Sequence, residues 1–95
     1  MSAYVIFIRD RITDAAGMLE YSAAARAARG DHKFQPLAFY GPCETPEGEP
    51  ADGVVLLQFE DVAAAKAWYE SDAYTAAARI RHRSADYRVI ITEGL

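Results

Sequence analysis

Three apolar runs in this chain show no alternation of polar and apolar residues. Val5, Ile6, Phe7 and Ile8 follow one another. So do Val54, Val55, Leu56 and Leu57, and later Val89, Ile90 and Ile91. Each run is short and rich in β-branched or aromatic residues, and reads as a strand. Side chains along a strand point alternately to its two faces, so these strands are apolar on both. A sheet built from them needs a cover on each face.

The rest of the chain supplies one cover. AYVIFI (3–8) is the first strand. Thr13 or Asp14 then caps a helix running to about Arg29. Gly30 suits its left-handed ending, and Gly17 weakens its first turn. KFQPLAFYG (33–41) is the second strand. Pro36 lacks a backbone donor, which suits an edge or a bulge. CETPEGEPADG (43–53) is a surface loop, and VVLLQF (54–59) the third strand. Asp61 caps the next helix. Ser71-Asp72 reads as a fresh cap, so a break and a short helix to about Arg83 are expected. YRVIITEGL (87–95) is the last strand.

The order is β-α-β-β-α-β. It folds most simply into an α+β, ferredoxin-like unit, a four-stranded antiparallel sheet with its helices on one face. Two hexamers reinforce the division into halves, YSAAAR at 21–26 and YTAAAR at 74–79. In each, the Arg is followed eight residues later by an aromatic that opens a strand, Phe34 or Tyr87. This is either a duplicated βαβ unit or what alanine-rich amphipathic helices share. The architecture is the same in both cases.

Ninety-five residues make one domain, 1–95. A chain of this size buries only about 60% of its unfolded surface. With 52% apolar residues it has more hydrophobic side chains than one small core uses. Nothing is left over to cover the second face of the sheet. A second copy, packed sheet to sheet about a twofold axis, is the expected partner. The net charge of −4 argues against nucleic acid and anionic membrane as partners, since both require a basic footprint. MSAYVIFIRD lacks a basic lead before its apolar run and reads as neither signal peptide nor membrane span. Cys43 is the lone cysteine, so the default setting is a reducing cytoplasm, with no intrachain disulfide.

Candidate chemistry is sparse. His32 and His82 are the two side chains whose ordinary pKa lies near neutrality. His32 falls in the turn before the second strand, where it is either solvated or a general base. His82 lies in RIRHR (79–83). On a helix Arg81 shares a face with Tyr74, Ala77 and Ala78, while Arg79 aligns with Arg83. The cluster is either a solvated basic last turn facing the helix dipole or the source of one inward guanidinium. Arg81, with Tyr74, then holds a carboxylate or enolate oxygen, and the small face around them leaves room for a cavity. Trp68 and Tyr69 end the second helix as core or as ligand platform, and Tyr40 faces them as a phenolic donor. Cys43 has no base nearby in sequence, and Glu44, Glu47 and Glu49 read as a solubilising loop. No phosphate-cradling loop, nucleophile elbow or metal-ligand spacing is present, so no cofactor and no metal are expected.

The stretch AWYESDAYTAAARIRHRSADYRVIITEGL, with the opening AYVIF…ITD…EY, resembles the DUF1330 family of small bacterial proteins of unknown function. The carriers are Tyr69, Ser71 and Tyr74, then Arg79 and Arg81, the ITEG ending and VVLLQFED at 54–61. The resemblance implies a dimeric α/β barrel of two ferredoxin-like units. It also favours Arg81 as the inward Arg. Its wider superfamily includes cofactor-free monooxygenases, lactone isomerases and haem-binding enzymes. Relatives commonly carry Arg-Gly-Gly on the second strand, where this chain has Phe39-Tyr40-Gly41-Pro42.

Two functions follow as expectations. The first is a cofactor-independent enzyme, isomerase or monooxygenase in type, acting on a small aromatic or carboxylated metabolite between sheet and helices. His32, Tyr40 and Arg81 are its catalytic residues, and Trp68, Tyr69, Tyr74, Arg79 and His82 bind the ligand. The alternative is a non-catalytic, stress-associated or binding dimer whose cleft is filled.

Overall fold

The computed structural model describes residues 1–95. Strand β1 (Ala3–Ile12) leads into helix α1 (Ala15–Ala28), then strands β2 (Gln35–Phe39) and β3 (Gly53–Phe59). Helices α2 (Val62–Tyr69) and α3 (Asp72–His82) precede β4 (Ala85–Glu93). The four strands lie in the order β2-β3-β1-β4, and every neighbouring pair is antiparallel. This is the ferredoxin-like α+β arrangement.

Each helix begins where a side-chain oxygen replaces a missing backbone partner. Asp14 accepts from the Gly17 amide at 3.1 Å, Asp61 from Ala64 at 2.7 Å, and Ser71 from Tyr74 at 3.2 Å. Helix α1 ends just before Gly30, whose φ of 50° turns the chain towards β2. The Ser71 hydroxyl also donates to the Trp68 carbonyl at 2.7 Å, which marks the expected break between α2 and α3.

β1 runs beyond the apolar stretch that announces it. Past Ile8 it stays paired with β4, with a bulge between Arg9 and Arg11. Cross-strand ion pairs, Arg11–Asp86 and Arg88–Asp10, accompany the extension. β2 occupies an edge, is exposed throughout, and is bulged between Pro36 and Ala38.

Val5 and Phe7 of β1 and Val55, Leu57 and Phe59 of β3 face the helices. They meet Met18 and Tyr21 of α1, Trp68 of α2, and Tyr74, Ala77 and Ala78 of α3 in a cluster of 14 buried residues. Between them the intervening residues point the other way. Leu56, Ile6 and Ile90 form one continuous row across three strands, with Ala38 at its end and Val54 and Ile8 in the next row. No element of the chain covers that row, and Ile90 is 46% exposed.

Gly17 does more than weaken a helical turn. A Cβ there would lie 2.1 Å from the Ser84 hydroxyl oxygen. Ser84 is buried, and its carbonyl accepts from the amides of Thr13 and Asp14. The glycine lets α1 start hard against the end of α3.

Candidate functional site

Tyr74, Ala77, Ala78 and Arg81 are the buried positions of α3, spaced three and four apart as one helical face requires. Arg81 is only 2% exposed. One of its terminal nitrogens donates to the Tyr69 hydroxyl at 3.3 Å. Its guanidinium carbon lies 5.1 Å from the Tyr87 ring centre, 5.6 Å from Phe7 and 6.0 Å from Tyr21. The buried Nε–H has no acceptor. Three ion pairs form in the chain, Arg9–Asp52, Arg11–Asp86 and Arg88–Asp10, and none involves Arg81. Burial works against its charge, while the phenolic oxygens of Tyr74, Tyr21 and Tyr69 work for it, and the net direction is upward. Tyr74 and Tyr21, both raised by burial, are neutral at pH 7, so they offer dipoles and ring faces rather than a counter-charge.

Beside Arg81 opens a cavity of about 440 Å³. Tyr69, Arg81 and His82 wall it from the helices, and Asp86, Tyr87 and Val89 from β4. His82 is exposed, with Nε2 3.5 Å from an Arg81 nitrogen. That nitrogen only donates, so in this long contact Nε2 faces it as an acceptor. Burial and then the Arg81 charge push the imidazole pKa down. His82 is therefore an unprotonated base next to a fixed cation at neutral pH.

Two phenol pairs lie nearby, and Tyr21 of one and Tyr87 of the other face the cation. Tyr21 and Tyr74 share a hydrogen bond of 2.6 Å, and Tyr40 and Tyr87 one of 2.5 Å. Tyr74 is pushed up to about 12, chiefly by burial, with the Tyr21 bond and Arg81 pulling the other way. Burial raises Tyr21 and Tyr40 further still. All three stay protonated.

Tyr40 is held in a left-handed backbone conformation, φ 54°, which costs a residue with a Cβ about 1–3 kcal/mol. Its ring packs on Gly53, where a Cβ would come within 2.7 Å of it. On its face lies the Arg9 guanidinium, 4.3 Å from the ring centre, itself tied to Asp52 at 2.8 Å. Burial opposes the Arg9 charge, but Tyr87 and Asp52 more than offset it, and its pKa rises.

The expected site residues therefore divide. Arg81, Tyr69 and His82 line one cavity, and Tyr40 reaches it through Tyr87. Trp68 and Tyr74 pack ring against ring at 4.2 Å and fill the middle of the cleft. They border a second cavity, between α1 and β2. Arg79 is exposed and joins no ion pair. His32 lines neither cavity, although its carbonyl accepts from Arg29 of the second; its turn enters β2 at the Gln58 end of β3, whereas Tyr40 bonds Val54. Those positions are about 13 Å apart along the strand. Arg9, Tyr21 and Tyr87 join the site without having been singled out from sequence. The signals were there: Arg9 continues the inward alternation of Val5 and Phe7, and Tyr21 and Tyr74 are the same position in the two hexamers.

A family model described as a domain of unknown function (DUF1330) matches residues 2–95. No curated protein matches the sequence. Among solved structures, a protein of unknown function from Rhodopseudomonas palustris is similar, with a TM-score of 0.74 and 16% identity. The match covers 99% of this chain and 82% of that one. A dimeric ferredoxin-like protein of unknown function from Jannaschia sp. matches with a TM-score of 0.69 and 16% identity, covering 99% and 100%. SnoaB, a cofactor-independent oxygenase from Streptomyces nogalater, matches with a TM-score of 0.62 at 10% identity, covering 99% and 92%. At these identities the likeness is one of fold.

Proposed function

The chain belongs to the family described as a domain of unknown function (DUF1330), and from that premise we propose a homodimeric, cofactor-independent enzyme that moves a proton on a small carboxylated metabolite. One observation carries the reading: Arg81 is a buried cation with no anion, at the wall of an open cavity it shares with an unprotonated His82. A buried guanidinium without a partner is costly, and a ligand oxyanion supplies what the chain omits. The carbonyl or carboxylate oxygen docks on Arg81, which Tyr69 steadies. The ligand oxygen takes the Arg81 N–H from His82 Nε2, and the freed Nε2 lone pair removes the proton from the adjacent carbon. The C–H electron pair moves into the carbonyl, and Arg81 stabilises the enolate oxygen. Return of the proton to another position completes an isomerisation. In this assignment His82, rather than His32, is the base. Tyr40 positions Tyr87 as a wall of the cavity.

The uncovered row of Leu56, Ile6 and Ile90 supports sheet-to-sheet pairing of two copies into an α/β barrel. Two neighbours in fold are dimeric, which agrees with it.

A second reading, a binding dimer without turnover, is favoured by the rings of Trp68 and Tyr74 that fill the middle of the cleft. One experiment separates the two. A panel of small 2-oxo and 3-oxo carboxylates is incubated with the protein in D₂O, and proton NMR follows loss of the α-hydrogens. Catalysed exchange that disappears in His82→Gln and Arg81→Met supports the enzyme. A thermal shift with carboxylates, lost in Arg81→Met but without exchange, supports the binding dimer. Absence of both refutes the site.

A further inference from the structure

The Tyr21–Tyr74 hydrogen bond joins equivalent positions of the two hexamers, an offset of 53 residues. The same offset relates the two cavities. His82, Tyr87 and Val89 line the cavity beside Arg81, and their counterparts Arg29, Phe34 and Pro36 line the cavity between α1 and β2. Each half of the chain makes a cleft where its helix ends and its next strand begins. In each, a guanidinium lies over an aromatic near the start of the strand: Arg81 over Tyr87 at 5.1 Å, Arg29 over Phe34 at 4.1 Å.

The geometry points to a second ligand site in the first half, for a planar aromatic carboxylate, with its ring inside the cleft and its charge at the mouth. The cavity measures about 260 Å³. An apolar cavity of about 150 Å³ holds one benzene ring, so this one accommodates two fused rings. Tyr21, Phe34, Phe39, Tyr40 and Trp68 present ring faces and edges to it. No acidic residue lines it, and two arginines do. Arg29 is engaged with the carbonyls of His32 and Phe34. Arg26 has neither ion pair nor side-chain hydrogen bond and stands exposed at the rim.

The two clefts differ in one decisive way. The counterpart of Arg81 is Ala28, so the first-half cleft has no buried cation. Its counterpart to His82 is Arg29, so it has no base. It binds a ring; the other binds an oxyanion. The inference does not depend on turnover at Arg81.

Trp68, the chain's one tryptophan, forms part of the wall and reports occupancy directly. The test is a titration with β-naphthoate followed by Trp68 fluorescence, with neutral β-naphthylmethanol alongside. Saturable quenching by both is expected, with the carboxylate tighter by about fivefold, the value of one exposed ion pair. Arg26→Gln removes that preference and leaves the alcohol unchanged. Ala25→Leu, at the cavity wall, abolishes binding of both, whereas Arg81→Met leaves both intact. No saturable quenching by either probe overturns the site. So does binding lost in Arg81→Met but kept in Arg26→Gln, which would put the ring beside Arg81 instead.

Discussion

Arg81→Met separates a structural arginine from one retained for a ligand, and the two make opposite predictions for stability. Methionine keeps the length and apolar character of the stem and removes the charge. The losses can be counted from the contacts. Three rings lie 5.1 to 6.0 Å from the guanidinium carbon, near the outer limit of a cation–π interaction. Together they contribute about 2 kcal/mol. The 3.3 Å bond to Tyr69 and the long 3.5 Å contact to His82 add about 1 kcal/mol together. Against this stand the unpartnered Nε–H, about 2 kcal/mol, and the desolvation of a cation with no counter-ion, several kcal/mol more. The balance favours methionine by about 2 kcal/mol. For a chain of this size that raises the melting temperature by about 10 °C. The assay is differential scanning calorimetry of both proteins without ligand, at equal protomer concentration because association stabilises by mass action. The same variant loses any thermal shift caused by small carboxylates. If Arg81→Met instead melts 5 °C or more below the parent, the cation is already satisfied by its rings and phenols. The demand for an anion then vanishes, and the proposed site with it.

Gly17→Ala gains about 1 kcal/mol of helix propensity yet lowers the melting temperature, because its Cβ meets the Ser84 oxygen at 2.1 Å; Ser84→Gly in the same chain restores it. Ile90→Asp places a charge in the uncovered row of the sheet, and light scattering should then report a monomer where the parent gives a dimer. A dimer that survives this change does not use that face. The pKa of His82 lies below its ordinary 6.5, so the base is free at neutral pH, and α-hydrogen exchange rises only as pH climbs through that lower value. The linked stability has the matching sign: the unfolded chain takes up the proton more readily, so stability is lost as pH falls below 6.5, and His82→Gln flattens both profiles between pH 5 and 8.

The fold was legible because its signals are local. Caps at Asp14, Asp61 and Ser71 and the edge proline Pro36 act over three or four residues, and each is where the chain's pattern places it. The strand ends were less legible. β1 continues past Ile8 through charged residues whose partners, Asp86 and Arg88, lie over seventy positions away. The site was half legible for the same reason. Arg81 and Tyr74 share a helical face that period alone reveals. The place of His32 could not be read this way: His82 adjoins Arg81 in the chain itself, whereas only the strand register puts His32 at the other end of the sheet. Gly17 looked like a defect in a helix, because its reason for being small sits on Ser84 at the end of another helix.

The two hexamers also explain why one cleft holds a buried cation. Where the halves meet, their equivalent tyrosines bond to each other and close the space between α1 and α3. Each half is then left with the pocket beyond its own helix end. Packing makes that pocket in both halves, so its existence needs no functional cause. Its contents do. An alanine at position 28 satisfies the core, and the same place in the second half could hold one too. Arg81 stands there instead, buried, without an acid, and with a donor unmet. A chain of 95 residues has little stability in reserve, so the proposal of an anionic ligand at Arg81 rests on this cost, which the melting temperature of Arg81→Met measures directly.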